Sequence, residues 1–180
     1  MKIRLLVLTL AIIFAASCKN HLSSQTATKV NADSIINNID KYYNKKVEVE
    51  GAASHICGID GKKMKLTTKN GKIIKIISCN PNYRFSKTYN RREVRIIGTV
   101  LECRIDKALI DKYEKDGTLL CSIDNLSCKD SNWIKSNTEL GIAKKLSQRS
   151  IKRLRSMMES TGKDYVATVV IKADSIQIID

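Results

Sequence analysis

His55 and Cys57 stand two residues apart in a stretch that alternates apolar and polar side chains, so on an extended strand both project from one face. Imidazole and thiolate suit zinc or a soft transition metal, and Cys79, at the end of a later apolar run, is the candidate third ligand. No CxxC or HxxH knuckle accompanies them to complete a compact site. The thiols have a competing use as disulfides. Cys121 and Cys128, with six residues between them, enclose a weakly specified loop that a bond would close, and Cys57 with Cys79 or Cys103 is the next pairing. Spacing alone does not choose among these pairings, a metal site and free buried thiols. His55 has no matched nucleophile, no carboxylate pair stands at a diagnostic spacing, and no glycine loop is built to cradle phosphate. The residues therefore predict a structural histidine, a protein that is not an enzyme, and no cofactor.

The stronger chemistry is binding. Tyr83, Arg84, Phe85, Lys87, Tyr89, Arg91 and Arg92 interleave aromatics with cations, a composition that stacks bases or sugars while the cations meet phosphates. Phe85 has a second reading, as a plug for one end of a barrel. A second basic set, Lys144, Lys145, Arg149, Lys152 and Arg153, falls on one helix and offers a face to anionic lipid headgroups, to a polyanion, or simply to water. The whole chain carries 32 Lys and Arg against 18 Asp and Glu, a net charge of +14 in 180 residues. Such a charge draws polyanions and anionic surfaces through its long-range field without naming which.

At the front, Lys2 and Arg4 precede an apolar run from Leu5 to Phe14, and Ala15, Ala16 and Ser17 lead into Cys18. A basic end, a short apolar run and a small-residue cleavage zone mark a secretory signal over residues 1–17. Ala15-Ala16-Ser17-Cys18 resembles the bacterial lipobox, with alanine where leucine is more usual. That resemblance implies acylation of Cys18 and a membrane-anchored lipoprotein on the extracytoplasmic side of the cell envelope. Residues 18–30, rich in Ser, Thr, Asn and Gln, read as a flexible tether, and 31–180 as one domain.

Within that domain, Ile35, Ile36, Ile39, Tyr42 and Tyr43 have helical spacing after a capping Asn31, which predicts a short helix over 33–43. The period then becomes two. Strands are predicted over 46–56, 62–68 and 72–79, joined by a turn at Gly58–Gly61 and a hairpin at Asn70-Gly71. A polar loop over 80–92 with one helical turn precedes a fourth strand over 93–103, bent or bulged at Gly98. Helix is predicted over 106–115, irregular chain over 119–137, and a longer helix over 139–160. The last strand material, 165–171 and 176–179, flanks a corner at Ala173–Ser175. This order predicts a mainly β fold: a five-stranded barrel with helices between strands 4 and 5 and a short N-terminal helix. Closure removes the open sheet edges that would otherwise pair with other chains.

The stretches Val47–Cys57, Gly61–Leu66 and Arg95–Asp106 resemble a group of Bacteroidetes exported lipoproteins that carry an OB-type barrel, described as tRNA-anticodon-like, nucleic-acid-binding domains. The resemblance implies an OB-like fold over roughly residues 33–180 and a nucleic-acid-binding module; the basic charge widens the expected ligand of the membrane-anchored protein to another polyanionic or oligomeric species, an acidic glycan or anionic lipid included. The alternatives are an envelope lipoprotein with a structural or protein-interaction role, and a metal-binding protein using His55, Cys57 and Cys79.

Overall fold

The computed structural model describes residues 26–57 and 59–180. Along Lys46–Ile56 (β2) as far as Ala53, Lys63–Thr67 (β3) and Ile73–Ser78 (β4) as far as Ile77, every second residue is buried, so each strand turns one face to a common core. Glu93–Asp106 (β5) and Tyr165–Ile178 (β6) complete the barrel. A two-residue strand, Thr28–Lys29 (β1), adds to β2 in parallel. The hydrogen-bonded order runs β2-β3-β4-β6-β5 and closes through β5 onto β2, with β4–β6 parallel and the other barrel pairings antiparallel. This is a five-stranded barrel of OB type.

Val47, Val49, Met64, Leu66, Ile74, Ile76, Val94, Ile96, Val100 and Ile171 fill the interior, each 1% exposed or less. Burying an aliphatic side chain of this kind stabilises by roughly 1.5–3 kcal/mol. The two ends of the barrel are stopped by different parts of the chain. At the end with the β3–β4 hairpin sits the helix Ala32–Asn37 (α1), which sends Ala32 and Ile35 into the core. It is tied there by the Thr68 hydroxyl, which donates to buried Asp33 at 2.7 Å. At the other end Phe85, 4% exposed, enters the same core, and its backbone N–H donates to the Gly61 carbonyl at 2.8 Å. The plug reading of Phe85 is the one the fold adopts. Asn31 caps α1 through a bond from the Asp33 N–H, as the sequence suggests.

Gly98 stands opposite the bulge, whose extra residue, Asp174, belongs to β6. The β5–β6 register slips between Ile97 and Gly98, and a Cβ at Gly98 would stand 2.4 Å from the Lys172 carbonyl oxygen. Gly71, in the β3–β4 turn, has φ +73°, a conformation that favours glycine.

Between β5 and β6 lie Lys107–Lys115 (α3), Ser131–Glu139 (α4) and Ala143–Thr161 (α5). Ile105, Ile110, Tyr113, Leu120, Ile151, Leu154 and Val166 join α3 and α5 to the extended β5–β6 pair in a second, smaller core. Several expectations need adjustment. The helix over 33–43 is broken at Asn38, whose side chain donates to the Ser34 carbonyl, so a four-residue turn, Ile39–Tyr42 (α2), follows α1. The expected irregular stretch 119–137 contains most of α4, started by an Asp130 carboxylate that accepts the Trp133 N–H at 3.0 Å. The long helix starts at Ala143 and not Glu139, because Gly141, at φ +67°, turns the chain. The corner expected near Ala173–Ser175 is a bulge within one continuous β6. Thr28 and Lys29, assigned by composition to the tether, pair with Val47 and Glu48.

Candidate functional site

The outward positions of β3 and β4 are Lys63, Lys65 and Thr67, and Ile73, Lys75 and Ile77. OB barrels bind ligands on this kind of face, between the β2–β3 loop and the connection that here joins β5 to β6. In this chain that connection is the helical insert, and part of it lies on the face. Asp124, 1% exposed, places Oδ2 3.0 Å from Lys63 Nζ and 3.0 Å from Lys75 Nζ, while Oδ1 accepts the Leu126 N–H at 3.2 Å. Burial would raise the carboxyl's pKa, but the two lysines outweigh it and hold Asp124 below the usual carboxylate range. Burial also acts to lower the Lys63 ammonium, and the Asp124 hydrogen bond and charge prevail to raise it. Asp124 and Lys63 therefore stay ionised at neutral pH, and the insert's single carboxylate offsets one of the two positive charges on this face.

What remains open is a cleft of about 320 Å³ between the β2–β3 turn and the insert. Ile56, Ile59, Leu120 and Trp133 supply apolar wall, and His55, Asp60, Lys63, Lys129 and Asp130 supply polar groups of both signs. Two local devices build it. The Asp60 carboxylate accepts the Lys62 N–H at 2.9 Å and tightens the turn that carries Ile59, and Asp130 caps α4 so that Trp133 falls in its first turn. Ile59 is 50% and Trp133 38% exposed, so both offer apolar surface to a ligand. Trp133 is the only tryptophan in the chain.

The cleft also gathers residues from two separate sequence readings. His55 and Cys57 line it together with Cys121 and Cys128, whereas Cys79 borders a different cavity with Tyr83 and Phe85. Among the described residues, no three His, Cys, Asp or Glu side chains are grouped to hold a metal ion. Cys57, Cys79, Cys103, Cys121 and Cys128 are all free thiols in this structure. Cys121 lies 3.9 Å from Lys63 Nζ, yet burial dominates and pushes its thiol up, away from the easily ionised state a nucleophile needs. Cys18 lies outside the described residues.

The basic-aromatic loop is largely occupied with itself. Phe85 is in the core. The Tyr83 ring packs edge-on against it at 5.4 Å, and the Tyr83 and Tyr89 hydroxyls are 3.3 Å apart. That hydrogen bond, with burial, leaves the Tyr83 phenol pushed up to about 12. Arg84 donates to the Pro81 and Tyr83 carbonyls, and Arg92 pairs with Asp180 at 2.9 Å. Lys87 and Arg91 are exposed. On α5, Lys144, Lys145, Arg149, Lys152 and Arg153 are all exposed, with Arg153 donating to the Asn125 side chain. Reading the sequence missed Trp133 and Ile59 as the cleft's apolar residues. The Asp130-x-x-Trp133 capping spacing was a usable signal for Trp133, whereas nothing local tells that Ile59 will face the insert. Compared with protein families and with curated proteins, the chain matches no family model and no curated sequence.

Proposed function

We propose that this protein is a ligand-binding module of the extracytoplasmic envelope, anchored through an acylated Cys18, and that its cleft takes one ring of an anionic oligomeric ligand, single-stranded nucleic acid being the first candidate. The observation that carries this reading is the exposed Trp133 facing the β2–β3 turn on the side of the barrel where OB domains take ligands. An indole of this kind stacks on a nucleobase or a sugar ring, and base–aromatic stacking contributes about 1–3 kcal/mol per base. The cleft's balanced charges favour a ring over a phosphate in the pocket itself. The net charge, +14 in the whole chain and +12 once Lys2 and Arg4 leave with residues 1–17, then acts at longer range, raising the local concentration of a polyanion whose ring is held there.

Trp133 is also the natural reporter. Titration with a short oligothymidylate and, separately, with a sulfated oligosaccharide should quench or shift its emission. Affinity should fall about tenfold or more when salt rises from roughly 50 to 300 mM, because a few phosphate or sulfate contacts release counterions. A response to the oligonucleotide alone selects nucleic acid, and a response to the oligosaccharide alone selects an acidic glycan. No response to either at low salt rejects the reading. Ile59→Asp, which places a charge opposite the indole, should abolish the response without altering the far-ultraviolet circular dichroism.

A further inference from the structure

Between Glu139 and Glu159 the chain has no acidic residue and six cations: Lys144, Lys145, Arg149, Lys152, Arg153 and Arg155. The fold treats them unequally. Arg155 turns toward α3 and pairs with Asp111 at 2.8 Å and with Glu114. Among the described residues, Lys144, Lys145, Arg149 and Lys152 make no ion pair, although most strands and α3 carry cations held by carboxylates. Lys145, Arg149 and Lys152 recur at i, i+4 and i+7 and so share one face, opposite the buried Ser147, Ile151 and Leu154.

The second observation lies at the start of the same helix. Gly141 reverses the chain between α4 and α5, and on either side of it Leu140 and Ile142 stand 68% and 40% exposed. Neither joins either hydrophobic core. Two aliphatic side chains projecting from a tight turn, beside a row of unpaired cations, match a lipid surface: the aliphatics enter the acyl boundary and the cations meet headgroups. A second copy of the chain is a poorer occupant, since two side chains fall far short of the ~800 Å² per partner that a stable interface buries. Single-stranded nucleic acid is also poorer, because the corner has no aromatic ring on which a base could stack.

We infer that the α4–α5 corner and the outer face of α5 form a docking surface for an anionic bilayer, with Leu140 and Ile142 inserted and Lys145, Arg149 and Lys152 on the headgroups. This goes beyond the ligand cleft and uses none of its residues. No helix among the described residues is long and apolar enough to cross a membrane, so the contact is interfacial. A membrane anchor at the N-terminus alone would leave the domain free to turn, and this face would set its orientation.

The test places a single tryptophan at the tip, Leu140→Trp in a Trp133→Phe background, in the full chain. Vesicles of phosphatidylethanolamine, with or without about one fifth phosphatidylglycerol, carry equal shares of brominated acyl chains. Emission should fall by about half or more on the anionic vesicles and little on the neutral ones, and added salt should reverse the difference. Charge reversal at Lys145, Arg149 and Lys152 together should return the anionic vesicles to the neutral result. Equal quenching by both vesicle types, or none by the anionic ones, would overturn the inference. So would a larger emission change with an oligonucleotide than with vesicles, which would give the face to nucleic acid. A concentration-dependent change without lipid, which would give it to a second copy, would also overturn it.

Discussion

Two sets of cations in this molecule have similar composition and opposite fates. Lys63 and Lys75 stand on the barrel face where an OB domain would meet its ligand, yet a single carboxylate of the insert, Asp124, reaches both at 3.0 Å and is itself almost fully buried. Lys145, Arg149 and Lys152 stand on the exposed side of α5 and make no ion pair among the described residues. The first set holds the insert to the barrel, and the second is left facing solvent. A charge count sees both alike. What separates them is whether the fold brings a counter-charge to them under low dielectric, where an ion pair is hard to replace by water. The aromatics divide the same way: Phe85 is sealed in the core, while Trp133 is open in the cleft.

The largest effect should come from Phe85→Ala, which empties the barrel end and should cost about 3–5 kcal/mol. For a chain of this size that lowers Tm by roughly 10 °C or more in a calorimetric scan. A shift of only a degree or two would mean that Phe85 is not the plug.

Asp124→Ala should follow closely. It leaves two partly buried ammonium groups without their partner, a change of about 3 kcal/mol when one member of a buried pair is removed. A chemical denaturation curve should show a lower midpoint with an unchanged slope if only the latch is lost, and a changed slope if the insert comes away from the barrel face.

Acid offers a finer measurement on the same group. The folded pKa of Asp124 is depressed, so its contribution is complete above the unfolded value of about 4 and is lost as pH falls through the lower folded value. Lys63, raised when folded, contributes fully below its unfolded value of about 10.4 and loses that contribution only at still higher pH. Stability from this pair should therefore be flat from about pH 5 to 9 and fall below about 4. Asp124→Asn should remove its part of that acid-side fall, and an unaltered acid profile would deny the latch its role.

The smallest expected effect on stability, and the sharpest contrast, is charge reversal at Lys145, Arg149 and Lys152. Exposed positions without partners usually change stability by no more than about 0.5 kcal/mol each, so Tm should move by only a few degrees. A loss comparable to that of Asp124→Ala would show that these cations serve the fold after all.

Much of the barrel was legible in order along the chain. The alternation Val47, Val49, Gly51 and the run Ile73–Ile77 identified strands because each buries one face, and that period belongs to the local backbone. Asn70-Gly71 was readable as a turn for the same local reason, and Gly98 marked the irregularity in the sheet although the extra residue itself, Asp174, belongs to β6. Less legible was α4, whose nine residues carry only Trp133 and Ile134 as apolar signal, and the break at Asn38. The candidate site was partly legible: His55, Cys57, Cys121 and Cys128 stood out by type, but nothing in their spacing announced that they would line one cleft.

By itself, then, the amino-acid order determined most of the barrel strands, the existence of α3 and α5, the excess of positive charge, and an apolar run ahead of Cys18. Only the tertiary structure decided that Asp124 crosses to Lys63 and Lys75, that Phe85 turns inward, and that Leu140, Ile142 and the α5 cations stay exposed. The physical reason is range. Period and turn chemistry act over a few neighbouring residues, whereas burial and charge pairing depend on partners such as Lys63 and Asp124, sixty-one positions apart, that meet only when the insert folds back over the barrel.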